Sequence, residues 1–117
     1  MLIFVIMKNI TTTFAFFVLT MTSIVAQNAV IKGKAYNPIN NEPVPFANVV
    51  IQGTTIGTST DIDGNYEISG LEPKLYNLEA TSLGFRNTVV YEIQTFNNRP
   101  VNINIQMTED AQLLEAV

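Results

Sequence analysis

Two carboxylates stand two residues apart in TDIDGNYEISGL, Thr60–Leu71. In an extended chain Asp61 and Asp63 face the same side, a spacing that suits a shared proton or two ligands of a hard cation. A calcium loop of the EF-hand type needs oxygens at its first, third and fifth positions, glycine at the sixth and a bidentate Glu at the twelfth. With Gly64 at the sixth, Ser59, Asp61 and Asp63 fill the first three, but the twelfth is Gly70. The strongest ligand is therefore absent, and the flanks alternate with period two instead of forming helices. An acid–base pair needs a dry, concave pocket, whereas a turn at a strand end is open to water. The chain has no His and no Cys, so Ser-His-Asp, Cys-His and imidazole-metal arrangements are excluded. A tight turn accounts for every residue. Asp-Gly and Gly-Asn supply the positive φ that hairpins need, and Asp61 can accept backbone N–H bonds across the turn. Asp61, Asp63, Gly64 and Asn65 are thus expected to be a structural turn. No catalytic residue, metal ligand or cofactor site is expected.

The elements that must position this turn are short strands. AVIKGKAYN (Ala29–Asn37) reads as the first, followed by the Pro- and Asn-rich loop Pro38–Pro43. VPFANVVIQG (Val44–Gly53) is the second, with Ala47, Val49 and Ile51 on one face. A short third strand enters the quoted turn, and NYEIS leaves it with Tyr66 and Ile68 on one face. Leu75–Phe85 and Thr88–Gln94 follow, with Gly84 read as a bulge that re-aims Phe85. In RPVNINIQM, Val101, Ile103, Ile105 and Met107 alternate with Asn102, Asn104 and Gln106, the pattern of a half-buried strand with one wet face. Seven strands without crossover helices predict an all-β, antiparallel sandwich.

The 117 residues bound the chain to one small domain. Residues 1–26 differ from the rest: one charge at Lys8, the apolar run FAFFVL, then small Ala26. That layout predicts a secretory signal cut after Ala26, with translation opening at Met7. Thr and Ser residues interrupt the run, which disfavours a membrane anchor. Without Lys8 five basic residues remain against ten acidic ones. That balance disfavours nucleic acid or anionic lipid as a partner. With no Cys there is no disulfide framework, so most apolar side chains are needed for the core, at roughly 1.5–3 kcal/mol for each one buried. Tyr36, Tyr66, Tyr76 and Tyr91 would form a sugar-stacking platform only if exposed in a row; their separate strands favour packing roles.

Taken in order, these residues resemble a known family, the carboxypeptidase-like regulatory domain. Its pattern runs through Gly33, then PVPFANV with Pro45, Ala47 and Val49, then Gly53–Thr54, Gly57–Thr58, Thr60–Asp61, Asp63–Gly64 and Tyr66. It closes on Leu71, Leu78, Ala80, Gly84 and Phe85. Each element alone is weak, and the ordered set is specific. The resemblance implies a seven-stranded prealbumin-like (transthyretin-like) sandwich. It also implies a non-catalytic periplasmic domain, of the kind found at the N-terminus of SusC-type TonB-dependent outer-membrane receptors. The expected partition is a signal peptide over 1–26, the β-sandwich over 27–108 and a linker toward a plug region over 109–117. The expected partner is a protein, either the receptor body or a periplasmic protein, with membrane contact only through the signal peptide or a barrel. A free-standing or hydrolase-associated domain and a carbohydrate-binding module are the alternatives.

Overall fold

The computed structural model of the protein describes residues 26–112. Residues 1–25 of the expected signal segment 1–26, and residues 113–117 of the expected linker 109–117, lie outside the described residues.

Among the described residues eight strands form two four-stranded sheets: β1 (Ala29–Tyr36), β2 (Asn48–Ile51), β3 (Gly57–Ser59), β4 (Asn65–Leu71), β5 (Leu75–Thr81), β6 (Thr88–Gln94), β7 (Val101–Asn102) and β8 (Ile105–Gln106). One sheet has the order β4-β1-β7, with β8 also paired to β1; the other is β3-β2-β5-β6. The period-two patterns decide which face each strand buries. Ile31 and Ala35 of β1, Val49 and Ile51 of β2, Tyr66 and Ile68 of β4, Leu78 and Ala80 of β5, and Ile105 with Met107 enclose the core. Asn102, Asn104 and Gln106 stay exposed, as the alternation of the last segment requires. The architecture is a β-sandwich.

Four expectations are corrected. The segment Arg99–Met107 is not one strand but two short ones, β7 and β8, broken at Ile103–Asn104. At the break the Asn104 side chain replaces a ladder acceptor, its Oδ1 taking the bond from Lys34 N at 3.1 Å. The pairing is also mixed instead of antiparallel, because β1 runs parallel to both β7 and β8. The reason is topological. β6 finishes at the end of the sandwich where β1 begins, and the chain crosses there to the other sheet. Asn28 N donates to Asn97 Oδ1 and Asn98 N to Asn28 O at that crossing. The strand that follows must then run the same way as β1.

The second expected strand also starts later than its apolar run suggests. Val44–Ala47 is a turn, and β2 begins at Asn48. Likewise Ser82–Phe85 is the turn joining β5 to β6, closed by Phe85 N donating to Ser82 O at 3.1 Å with Gly84 at φ 84°, and not a bulge within a strand.

Candidate functional site

The loops after β1, before β2, between β3 and β4, and between β5 and β6 all emerge at one end of the sandwich, because the registers bring Tyr36, Asn48, Ser59, Asn65, Thr81 and Thr88 to that end. The aspartates stand there. Asp61 Oδ1 accepts from Asp63 N and from Asn65 N, each at 2.9 Å. Gly64 N donates to Asp61 O at 3.0 Å and Asp61 N to Asn65 O at 2.9 Å. One carboxylate therefore ties its own turn, an Asx-type lock in which the side chain takes backbone donors that would otherwise face water. Gly64 supplies the left-handed step at φ 81°, and its carbonyl accepts from Ala35 N at 2.8 Å. A Cβ on Gly64 would stand 2.5 Å from Ala35 O, so the turn packs directly on β1. The Asp63 side chain points into solvent. Geometry places Asp61 and Asp63 in one turn without enclosing a space between them.

Beside this turn, Thr60 is buried and connected twice through its hydroxyl. Oγ1 donates to Val44 O at 2.7 Å and accepts from Ala47 N at 2.8 Å. It thus occupies the gap that a direct turn bond between Val44 and Ala47 would close. Phe46 N donates to Thr60 O at 3.1 Å and Thr60 N to Ala47 O at 2.9 Å. The clamp holds Pro45 and Phe46 at the two central positions of the turn, with Phe46 at φ 57°. That conformation normally belongs to Gly or Asn. At the opposite end a second buried threonine, Thr95, bonds backbone through its hydroxyl. Its Oγ1 donates to Lys74 O at 2.8 Å and accepts from Lys74 N at 2.9 Å. Neither threonine's role is marked by spacing, since hydroxyl clamps carry no periodic signal.

The other motif residues fall into plain structural places. A Cβ on Gly33 would overlap the Ile103 carbonyl, so glycine lets β7–β8 lie close against β1. The Tyr66 hydroxyl donates to the same Ile103 carbonyl, and burial pushes that phenol above its ordinary range. Ala47 and Val49 are core. Gly53 makes a left-handed turn at φ 82° in open space. Phe85 packs against the core and bridges to Glu109, while Asp110 N donates to Gly84 O at 2.8 Å. Tyr66 and Tyr76 are buried, the latter with its hydroxyl on Glu72 O. Tyr36 is half-buried and Tyr91 exposed, so the four tyrosines form no single exposed row.

A groove of about 470 Å³ crosses the outer face of the β4-β1-β7 sheet. Lys32, Lys34, Asp61, Glu67, Asn102 and Asn104 line it, two cations against two anions. It is open to solvent, and Tyr66 also lines it. Among the described residues no three Asp or Glu gather as a metal would need.

The model of the CarboxypepD_reg-like domain family matches residues 31–117. The chain belongs to this family. Within this CarboxypepD_reg-like domain, 44 residues are 50% identical to the TonB-dependent receptor SusC of Bacteroides thetaiotaomicron, a stretch covering 38% of this chain and 4% of that receptor. The chain thus corresponds to a small part of the receptor's length. Among solved structures, a chain of a mutant type II cohesin–X-dockerin complex from Acetivibrio cellulolyticus superposes with a TM-score of 0.56 at 18% identity, over 69% of this chain and 64% of that one. The major pilin subunit BcpA of Bacillus cereus gives 0.51 at 14% identity, over 72% and 31%. At such identities these likenesses concern the β-sandwich fold alone.

Proposed function

We propose that this CarboxypepD_reg-like domain is a non-catalytic accessory module in the periplasm, standing at the front of a TonB-dependent outer-membrane receptor and acting through protein contacts. The observation that carries the reading is the 50% identity with SusC inside the family match. The chemistry of the chain agrees with it. The chain has neither imidazole nor thiol, and the Asp61 carboxylate is engaged by its own turn, which favours a role as binding surface. In this reading residues 1–26 are an export signal removed after Ala26, residues 27–108 are the folded module, and residues 109–117 lead toward a plug. The paired aspartates, Gly64 and Asn65 serve architecture, as do the motif residues from Gly33 to Phe85.

Cell fractionation of the native host with an antibody to this domain tests the reading. The domain is expected in the outer-membrane fraction, joined to a polypeptide of receptor size, with Gln27 as its first residue. Recovery in the cytoplasm, or as a lone domain with no receptor sequence following it in the gene, would overturn the receptor reading.

A further inference from the structure

The four most exposed large apolar side chains among the described residues are Leu83 at 87%, Ile39 at 82%, Phe46 at 74% and Ile62 at 72%. All four sit on the loops at the end that carries the Asp61 turn. Chance exposure of single apolar residues is normal, but three connections presenting four such side chains to solvent at the same end is not scatter. Phe46 adds a second argument. A bulky residue at φ 57° is a backbone outlier, and the Thr60 clamp holds it there. Strain of this kind persists only where surrounding bonds over-determine it, and it concentrates at binding sites. Here it directs an aromatic ring outward.

Charge indicates what would cover this end. Glu42, Asp61, Asp63, Glu109 and Asp110 stand on the same loops and on the segment that follows β8. The cation on those loops is Arg86, itself 3.6 Å from Asp110, and Lys34 of β1 lines the groove beside Asp61, so the acidic residues outnumber the basic ones at this end. Lys74 and Arg99 lie at the opposite end, Lys74 before β5 and Arg99 before β7. The long edge of β6, the other obvious contact surface, is interrupted. Its pairing with β5 shifts register between Tyr76 and Leu78, and Glu92 stands at φ 55° with its N–H taken by Asn77 Oδ1, devices that blunt an edge against strand addition.

We propose that this end is a docking surface for a partner protein whose matching patch has an apolar centre and a rim of Lys and Arg side chains. A second copy of the chain would bring like charges together at this end, and an anionic lipid surface would be repelled by it. The inference stands whether or not the domain opens a receptor.

The test is an NMR titration of the labelled full chain with three synthetic peptides: an amphipathic helix of Leu and Lys, the same sequence with Glu for Lys, and a Lys-only peptide of equal charge. The Leu–Lys peptide is expected to shift the resonances of Ile39, Phe46, Ile62 and Leu83, to bind at least tenfold tighter than either control, and to weaken with salt. Phe46→Gly relieves the backbone outlier and should keep the melting temperature, yet lose at least fivefold in affinity; Leu83→Ser, at a fully solvated site, should do the same. Equal binding of the Leu–Glu or Lys-only peptide would overturn the proposal. So would shifts mapping to Ile56, Leu75 and Phe96 at the other end. Unaltered affinity in both variants, dimerisation of the chain through this end, or shifts of these resonances on anionic vesicles of phosphatidylcholine and phosphatidylglycerol would each overturn it too.

Discussion

The Thr60 hydroxyl lies 2.8 Å from the Ala47 nitrogen and completes, together with Val44, a turn that its own backbone leaves open. A buried side chain thereby does the work of a backbone bond across 13 residues of sequence. It joins the turn before β2 to the turn after β3, so the Val44–Ala47 and Asp61–Asn65 segments hold one another in place.

Removing that hydroxyl tests the clamp. Thr60→Val keeps the shape but leaves a buried N–H and a buried C=O unpaired, each at a cost of about 1–3 kcal/mol. A loss of roughly 2–4 kcal/mol is expected in urea unfolding, with Thr60→Ser losing less than half as much because its hydroxyl can still bridge. Equal losses in the two variants would show that the methyl, not the hydroxyl, matters.

The Asp61 carboxylate makes a second test. Asp61→Ala removes the acceptor of two backbone N–H groups. Water can replace it at this exposed turn, so the expected loss is about 1–2 kcal/mol. Thermal melts with millimolar calcium and with chelator should superpose for the parent chain, because the turn spends its carboxylate on backbone donors. A calcium-dependent rise in melting temperature that vanishes in Asp61→Ala would reverse this reading.

Much of this arrangement is legible in the sequence, and for a physical reason. Alternation is a local property, so Val101, Ile103, Ile105 and Met107 point inward as their spacing requires, and Tyr66 and Ile68 do likewise. Asp61, Gly64 and Asn65 read as a turn because left-handed φ and short side-chain acceptors are local too. What was not legible depends on distant parts of the chain. Strand direction for β7 and β8 follows from the end at which β6 finishes. Val44 to Ala47 looks like strand because Pro45–Phe46 sits in an apolar run; only the Thr60 hydroxyl makes it a turn. The resemblance marks the position of Thr60, but nothing in the sequence tells its hydroxyl clamp from the roles of Thr54, Thr55 and Thr58. The exposed end of the sandwich was hidden for the same reason, since Ile39, Phe46, Ile62 and Leu83 share no periodicity and reach the same end only through topology.

The buried tyrosine gives the fold a pH dependence. Desolvation raises the Tyr66 phenol above its ordinary value, and Tyr76 moves the same way by desolvation and then by the nearby Glu72 charge. The folded state therefore keeps these protons to higher pH than the unfolded chain, whose tyrosines ionise near about 10. Above that value the unfolded state binds fewer protons, so stability is fully present below about pH 10 and falls as pH rises further. Denaturant midpoints from pH 7 to 11.5 should decline in the upper range. Tyr66→Phe should flatten that decline while costing about 1 kcal/mol at pH 7 through the lost bond to Ile103 O. An unchanged slope in the variant would place the effect elsewhere.

Gly33 and Gly53 make opposite predictions although both are motif glycines. At Gly33 the added methyl of Gly33→Ala meets the backbone of Ile103, carbonyl oxygen and carbon alike. Backbone cannot rotate away as a side chain does, so β7 and β8 must withdraw from β1, and Tyr66 loses its acceptor with them. The expected cost is about 3 kcal/mol or more, at the upper end for overpacked sites. At Gly53 an added Cβ meets nothing within 4 Å, and only φ 82° opposes it. Gly53→Ala should therefore cost about 1 kcal/mol from backbone strain, partly offset by the reduced entropy of the unfolded chain. Chemical denaturation of both variants, with amide hydrogen exchange read at Ile103 and Ile105, separates the causes. Gly33→Ala should lose protection across the β1–β8 pairing, and Gly53→Ala should leave it intact. Equal destabilisation of the two would mean that the close approach of Ile103 to β1 is not what requires glycine at position 33.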